Sequence, residues 1–402
     1  MIEAVDPRMP CRVLLVTLPF GRFGRDLVRA FRDAGAEVRH MVFNTGDLLS
    51  RRGPGGIRHQ ECASEWPRRL AALAPAFTDI LIFGESGPYN EAVLALAKDG
   101  GPRVWVLENG YFRPDWITLE RGGANAGSPL PRDADGYASE WPEPEPPRPV
   151  GPATRSLAFN ISLYYFVELY GRWLFPLHKP AFAAPPWRQA VGHTWRYSRG
   201  LLTRQPDDGK VIEAAEPYFL VCLQRDGDSQ LLRHSPLPDN AAFLEAVMHS
   251  FSHHAPPDVD LVVKNHPLDP GLIDLEMLTA QAAHAHGVAG RVRFIDGGSL
   301  ARLCKASRGL VVNNSSAAFS ALGFGTPVKA KGRALFNFEG LSDQKPLDAF
   351  WTDPTPPDPA LFRRFRAQVM ARTQINGSFD TPRMTRSTAA AVARAVTEAA
   401  SS

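Results

Sequence analysis

Three short polar runs, each directly after an apolar one, hold the residue types in this sequence best suited to chemistry. After "YFLVCL" come Gln224, Arg225, Asp226, Gly227, Asp228 and Ser229. After "DLVV" come Lys264, Asn265, His266 and Pro267, and after "GLVV" come Asn313, Asn314, Ser315 and Ser316. In an open parallel sheet, ligands bind outside the carboxyl ends of the strands, so the three runs are expected to project into one crevice. The third run opens a helix with two serines, where hydroxyls, unpaired backbone N–H groups and the helix dipole favour an anion. That is a phosphate site needing no metal; the plainer alternative is that Ser315 only caps its helix. Lys264 and His266 alternate about Asn265 and so offer two cations on one face of the strand end. A neighbouring phosphate would raise the histidine pKa. The plainer alternative there is a turn stopped by Pro267.

Asp226 and Asp228 flank a glycine, and three readings stay open for them. They are a metal-binding pair of the kind that holds a nucleotide diphosphate, an ordinary turn, or a carboxylate nucleophile exposed by a tight turn. A fourth stretch, "ENGYFRPDWITLERGG", begins at Glu108 after the apolar run "RVWVL" and reads as a loop rich in aromatics, acids and arginines. A purely structural loop of this kind would pair its acids with its arginines. Known signatures do not settle the matter. "GRFG" at 21–24 lacks the full GxGxxG pattern, and P-loop, HExxH and GxSxG motifs are absent.

The elements that must position these groups alternate. "RVLLVTL", a helix ending at Gly35, "DILIFG", "EAVLALAKDGG" and "RVWVLE" have the rhythm of a parallel sheet covered by helices on both faces. A second series starts at "YFLVCLQ" and runs through "DLVVKNHP", "VRFIDGG", "GLVVNNSS" and "TPVKAKG". The expected fold is α/β, with two Rossmann-like doubly wound domains facing a cleft. The first spans 1–200, the second 201–375, and alanine-rich 376–402 forms a helical tail. Proline-rich 124–155 can continue neither sheet nor helix and reads as a mobile loop inserted in the first domain.

Residues 156–179 carry Phe159, Tyr164, Tyr165, Phe166, Tyr170, Trp173 and Phe175, flanked by Arg155, Arg172 and Lys179. This segment is either an interfacial element that meets a lipid surface or a helix packed between domains. A net charge of +3 over 402 residues, without a basic run, argues against nucleic acid as a partner. Cys11, Cys62, Cys222 and Cys304 are scattered, which excludes a disulfide framework or a structural zinc site and suits a reducing compartment. No run is apolar for long enough to span a bilayer, and the short N-terminal run reads as a strand, not a signal peptide. The expected location is cytoplasmic, with any membrane contact peripheral.

Taken together, "ENGYFRPDWITLERGGAN", "SPLPRD", "QRDGDSQ", "VVKNHPLDPG" and "VVNNSSAAFSALGFGTPVKAKG" resemble the capsular polysaccharide β-Kdo transferases of the KpsS type, relatives of the KpsC modules. The resemblance runs over roughly residues 10–380. It implies a GT-B-like arrangement with CMP-β-Kdo in the cleft, an acceptor-side first domain and a donor-side second domain. It also implies a lipid acceptor at the inner membrane and other capsule biosynthesis and export proteins as partners. CMP-Kdo is then a co-substrate, and neither cofactor nor metal is expected. By the same resemblance Asp228 is the nucleophile and Glu108 the acid/base of a retaining transfer. His266, Pro267, Ser315 and Ser316 hold the CMP phosphate, with Asn314, Lys264 and Gln224 beside them. Arg113, Arg121 and Lys329 are partners for the sugar carboxylate, which arginine grips bidentately. Tyr111 and Asn125 belong to the sugar and acceptor side. Two departures stand out: Ala124 occupies a place where the family often has valine, and Asn313-Asn314-Ser315-Ser316 replaces a common "VNST".

Overall fold

The computed structural model describes residues 11–50, 55–97, 100–179, 187, 192, 208–215, 217–225, 236–237, 239–267, 269 and 271–401. Twelve strands run through the described residues. They are β1 (Arg12–Leu15), β2 (Glu37–Val42), β3 (Gly56–Arg58), β4 (Asp79–Phe83), β5 (Arg103–Asn109) and β6 (Trp116–Arg121), then β7 (Tyr218–Cys222), β8 (Asp260–Lys264), β9 (Val292–Ile295), β10 (Leu310–Val312), β11 (Val328–Ala330) and β12 (Gln374–Asn376). They form two sheets, of seven strands in the order β12-β6-β5-β4-β1-β2-β3 and of five in the order β11-β10-β7-β8-β9. The α/β class with two doubly wound sheets is therefore as the sequence implied.

The chain divides into two compact units that do not follow chain order. Unit 1 is Met1–Ala124, Pro144–Trp187 and Met370–Ser402; unit 2 is Asn125–Glu143 and Arg188–Val369. In unit 1, β1 to β5 pair in parallel; both faces of β1, β4 and most of β5 are buried, which is why these three read as continuous apolar runs. Val13, Leu15, Leu81 and Leu107 join one core; Leu14, Ile80, Ile82, Val104 and Val106 join the other. The C-terminal helix Thr385–Ser401 is no separate tail, because Ala389, Val392, Ala393 and Val396 complete the first core beside Phe23, Leu27 and Phe31.

The stretch from Glu108 is not a loop but the far half of a hairpin. β6 runs antiparallel to β5, with Glu108 opposite Thr118 and Trp105 opposite Arg121. Gly110 makes the turn because a Cβ there would lie 2.2 Å from the Trp116 carbonyl oxygen. Buried Tyr111 donates its hydroxyl to buried Glu120 at 2.8 Å, which satisfies a carboxylate the sheet otherwise could not accept.

The proline-rich segment is anchored, not mobile. Its prolines keep it out of any ladder, but fully buried Tyr137 stacks on Phe338 with ring centroids 5.8 Å apart and donates its hydroxyl to the Pro131 carbonyl at 2.7 Å. These contacts belong to unit 2. Further on, the Val150 N–H reaches Asp115 Oδ1 at 2.8 Å within unit 1.

In unit 2 all five strands are parallel, and Cys222, Lys264, Ile295, Val312 and Ala330 lie abreast. The helices Asn240–His254 and Leu275–Ala285 begin on side-chain caps from Asp239 and Asp274. Phe219, Phe251, Phe350 and Trp351 fill the core beneath the first of them.

Against the helix Thr154–Gly171 of unit 1 lies a polar cluster that the sequence did not reveal. Asn44 Nδ2 donates to the Tyr164 hydroxyl at 2.7 Å, and His178 sits 3.2 Å from the Tyr89 hydroxyl and 3.6 Å from Glu168. Burial, with repulsion from Asp47, pushes the Glu168 carboxyl up to about 7, and burial pushes the His178 imidazole down to about 4. Between the ordinary values of 4.5 and 6.5, the folded pair is neutral while the unfolded chain carries both charges. The number of bound protons is then equal in both states, so the pair gives stability no pH slope there. Glu168→Gln leaves only the depressed histidine, whose contribution is lost as pH falls below 6.5. Urea denaturation should show that variant losing about 1–2 kcal/mol more than wild type between roughly pH 6.5 and 4.5. Equal losses would mean that Glu168 is ionised in the fold.

Candidate functional site

The order of the five-stranded sheet decides where unit 2 keeps its polar groups. The chain lays down β7, β8 and β9 side by side and then returns to the other edge of β7 with β10 and β11. The direction reverses between β7 and β10, and that switch point is where open α/β sheets form a ligand crevice. The three polar runs follow β10, β7 and β8, which are adjacent, so the structure brings them to one rim.

Amide side chains stiffen this rim. Gln224 Oε1 accepts the Asn314 N–H at 3.0 Å and so ties β7 to β10 across the switch point. Asn240, at the start of its helix, clamps Gln224 in turn: its Nδ2 donates to the Gln224 carbonyl at 2.8 Å and its Oδ1 accepts the Gln224 N–H at 3.3 Å. Asn265 Oδ1 accepts the His266 N–H at 2.7 Å and sets the direction of the chain leaving β8. Gln224, Asn240, Lys264, Asn265, Asn313 and Asn314 are all buried, and groups of this kind are stable inside a protein only when hydrogen-bonded. Gly332 matters for the same reason: the Asn314 amide packs so tightly on it that a Cβ would lie 1.9 Å from Oδ1.

Outside this layer stand half-buried His266, Ser315 and Ser316 and exposed Pro267. Ser315 Oγ accepts the Ala317 N–H at 3.2 Å, so the plainer cap reading holds for that hydroxyl. Ser316, at the N-cap of the short helix Ala317–Gly323, makes no capping bond and is the hydroxyl better placed for a ligand. Cys222, next to the rim, is buried with its thiol pushed up to about 12 by desolvation, which excludes it as a nucleophile. Asp226 and Asp228 lie outside the described residues.

Three expected ligand residues have partners within the protein, and a fourth, Arg121, is carried away from Glu108. Lys329 is one position short of the rim on β11; its ammonium donates to the Asp343 carbonyl at 3.0 Å and to the Lys345 carbonyl, which straps the following loop to the sheet. Asn125 belongs to unit 2 and has a left-handed φ of 49°. Its Nδ2 donates to the Asn314 carbonyl at 3.0 Å and its Oδ1 accepts the Leu335 N–H at 3.2 Å, so it supports the rim from behind. Tyr111 is buried on Glu120, beneath the surface. The antiparallel hairpin carries exposed Arg121 back to the level of Trp105, three residues down β5 from Glu108.

Within unit 1, Glu108 is half-buried at the carboxyl end of β5, and exposed Arg113 stands in the turn just beyond, with Nε 3.2 Å from the Gly110 carbonyl. Sequence reading passed over Glu85, which follows the neighbouring strand β4 and accepts the Ala124 N–H at 2.7 Å while almost fully buried. Its signal was an acid directly after the apolar run "DILIFG". Asn240 was hidden because nothing in a helix-opening asparagine says which strand it will clamp.

The comparison with known proteins now bears on these motifs. The family described as capsule polysaccharide biosynthesis protein matches residues 78–380. This chain belongs to that family. It is 32% identical over 378 residues to the capsule polysaccharide export protein KpsS of Escherichia coli, covering 92% of this chain and 96% of that one. It is 34% identical over 385 residues to the capsule polysaccharide modification protein LipB of Neisseria meningitidis serogroup B, covering 91% of each. Among solved structures, the β-Kdo 2,7 transferase of Thermosulfurimonas dismutans KpsC aligns with 91% of this chain and 92% of its own at 15% identity, with a TM-score of 0.44. A UDP-GlcNAc 2-epimerase from Methanocaldococcus jannaschii aligns with 97% of this chain and 100% of its own at 11% identity, with a TM-score of 0.27. The resemblance seen in the motifs and this family membership therefore agree.

The supporting role of Asn125 has a direct check. Asn125→Ala loses two buried hydrogen bonds and strains the backbone, and should cost about 2–3 kcal/mol in urea denaturation. Asn125→Gly keeps the left-handed turn at no steric cost and should lose less. Wild-type stability in both would show that the two bonds contribute nothing.

Proposed function

We propose that this protein is a retaining glycosyltransferase that moves β-Kdo from CMP-Kdo to a (lyso)phosphatidylglycerol-type lipid acceptor in synthesis of the capsular polysaccharide linker. The observation that carries this reading is the switch-point rim of unit 2, where the groups after β10, β7 and β8 converge. Membership of the capsule biosynthesis family and the order of the motifs along the chain support it.

The chemistry fits the residue types. CMP leaves as a monophosphate, which calls for hydrogen-bond donors and positive potential; His266, Ser316 and Lys264 supply groups of that kind. In the first displacement the Asp228 carboxylate attacks the anomeric carbon, and the bond to the CMP phosphate oxygen breaks with its electron pair leaving on phosphate. In the second, Glu108 takes the proton of the acceptor hydroxyl, whose oxygen displaces Asp228. Two inversions give retention. Arg113 is the remaining candidate for the sugar carboxylate, and arginine suits it by its planar pair of donors.

Two alternatives are tested by the same assay. One is transfer of another CMP-activated sugar such as sialic acid. The other is a non-catalytic capsule assembly or export partner, a reading favoured by the word "export" in the name of the Escherichia coli relative. A screen of CMP-Kdo and CMP-sialic acid against a lipid acceptor, read by mass spectrometry, should give product with CMP-Kdo alone. No product with either donor favours the assembly reading.

Asp228→Asn should abolish transfer, a loss of at least about 10³-fold, while CMP still binds. Normal turnover in that variant removes Asp228 from the mechanism. Activity should survive EDTA; its loss would return Asp226 and Asp228 as a metal pair.

A further inference from the structure

The helix Thr154–Gly171 of unit 1 and the turn after it are amphipathic in the reverse sense. The inward face carries polar groups: Asn160 against Gly21, Tyr164 with its hydroxyl near Asn44 and Asp47, and buried Glu168 near His178. The outward face carries Phe159, Phe166 and Tyr170 at 65%, 60% and 68% exposure, followed by Trp173 at 76%. Leu163, Leu169 and Leu177 are exposed among them. With 3.6 residues per turn, positions 159, 163, 166 and 170 fall within an arc of about 60°, so they form one strip. The four rings alone present on the order of 500 Å² of apolar surface, as large as the largest patch on a typical monomer.

The charge around the strip says what would cover it. Exposed Arg155, Arg172 and Lys179 flank it. From Pro146 to Pro206 the sequence has eight arginines and lysines and a single acid, the buried Glu168. That stretch exceeds the net charge of the whole chain, which is +3. A second copy of this stretch would set cation against cation, with buried Glu168 as its one acid, so self-association through it is disfavoured. An anionic lipid surface matches both features. It takes phenylalanine and leucine below the headgroups, tryptophan and tyrosine at headgroup level, and arginine and lysine on phosphate.

We infer that the face formed by Phe159, Leu163, Phe166, Tyr170 and Trp173, with Arg155, Arg172 and Lys179 at its border, docks this protein on an anionic bilayer. The helix lies in the plane of the interface and does not cross it; among the described residues no helix is long and apolar enough to span a membrane. The inference goes beyond the transferase reading and is tested without donor or turnover, so either can fail alone.

The experiment is flotation of the full chain with vesicles of phosphatidylcholine alone and of phosphatidylcholine mixed with phosphatidylglycerol. Wild type should float with the mixed vesicles, more weakly as salt is raised, and should stay behind with phosphatidylcholine. Phe166→Ser with Trp173→Ser should weaken binding by at least about tenfold while leaving the melting temperature unchanged, since both side chains face water in the free protein. Arg155→Gln with Lys179→Gln should weaken binding and flatten its salt dependence. The inference is overturned if wild type fails to bind the anionic vesicles or if the serine variant binds as wild type does. It is also overturned if light scattering finds a wild-type dimer that the serine variant abolishes, because a second copy would then cover the strip.

Discussion

Parallel strands covered on both faces leave polar chemistry one place to go, which is where the strands stop. Each unit obeys this constraint. Strand interiors such as Leu220, Val221, Val262 and Val311 are fully buried, and the first polar side chains appear at or just after the last ladder residue. The exception at the other end of the unit 1 sheet shows how strict the rule is. Asp79 is fully buried at the start of β4, and it is held by Arg103 at 2.8 Å and by the Trp105 indole N–H at 2.8 Å. A buried charge survives there because its oxygens are bonded from several sides.

The same constraint separates support from function at the rim of unit 2. Groups closest to the strand ends are buried, so the fold must satisfy them itself: Gln224 takes the Asn314 N–H, Asn240 takes Gln224, and Lys329 takes two carbonyls. Among the described residues, the next ones outward, His266 and Ser316 among them, keep more exposure than this inner layer. A stiff inner layer of amides under a partly exposed outer layer is the arrangement that holds ligand groups in fixed directions. Asn125 shows how far the support extends in sequence, since it braces Asn314 from a position 189 residues away.

The helix Thr154–Gly171 resolves a conflict of a different kind. Its composition is that of a core helix, but the inward places are taken by Asn160 against Gly21, Tyr164 against Asn44 and Asp47 after β2, and Glu168 near His178. The aromatic strip is therefore left outside, and the Glu168–His178 pair beneath it is neutral, which limits the charge buried under this polar face.

The sequence by itself determined the α/β class, the strands of both sheets except β2, β3, β6 and β12, and which three polar runs belong together. These follow from short-range patterns: apolar runs of strand length, helical spacing between them, and polar residues directly after them. What only the tertiary structure decided was partnership across long separations. It joined the C-terminal helix and β12 to unit 1, turned "WITLER" into an antiparallel strand that carries Arg121 away from Glu108, and buried Tyr137 so that a proline-rich stretch is anchored. It also gave Lys329, Asn125 and Tyr111, expected as ligand residues, hydrogen-bond partners within the protein. The physical reason is common to all of these. Residue type fixes what a group can bond to, but burial and the order of strands fix what lies within reach, and neither is a property of neighbouring positions in the chain.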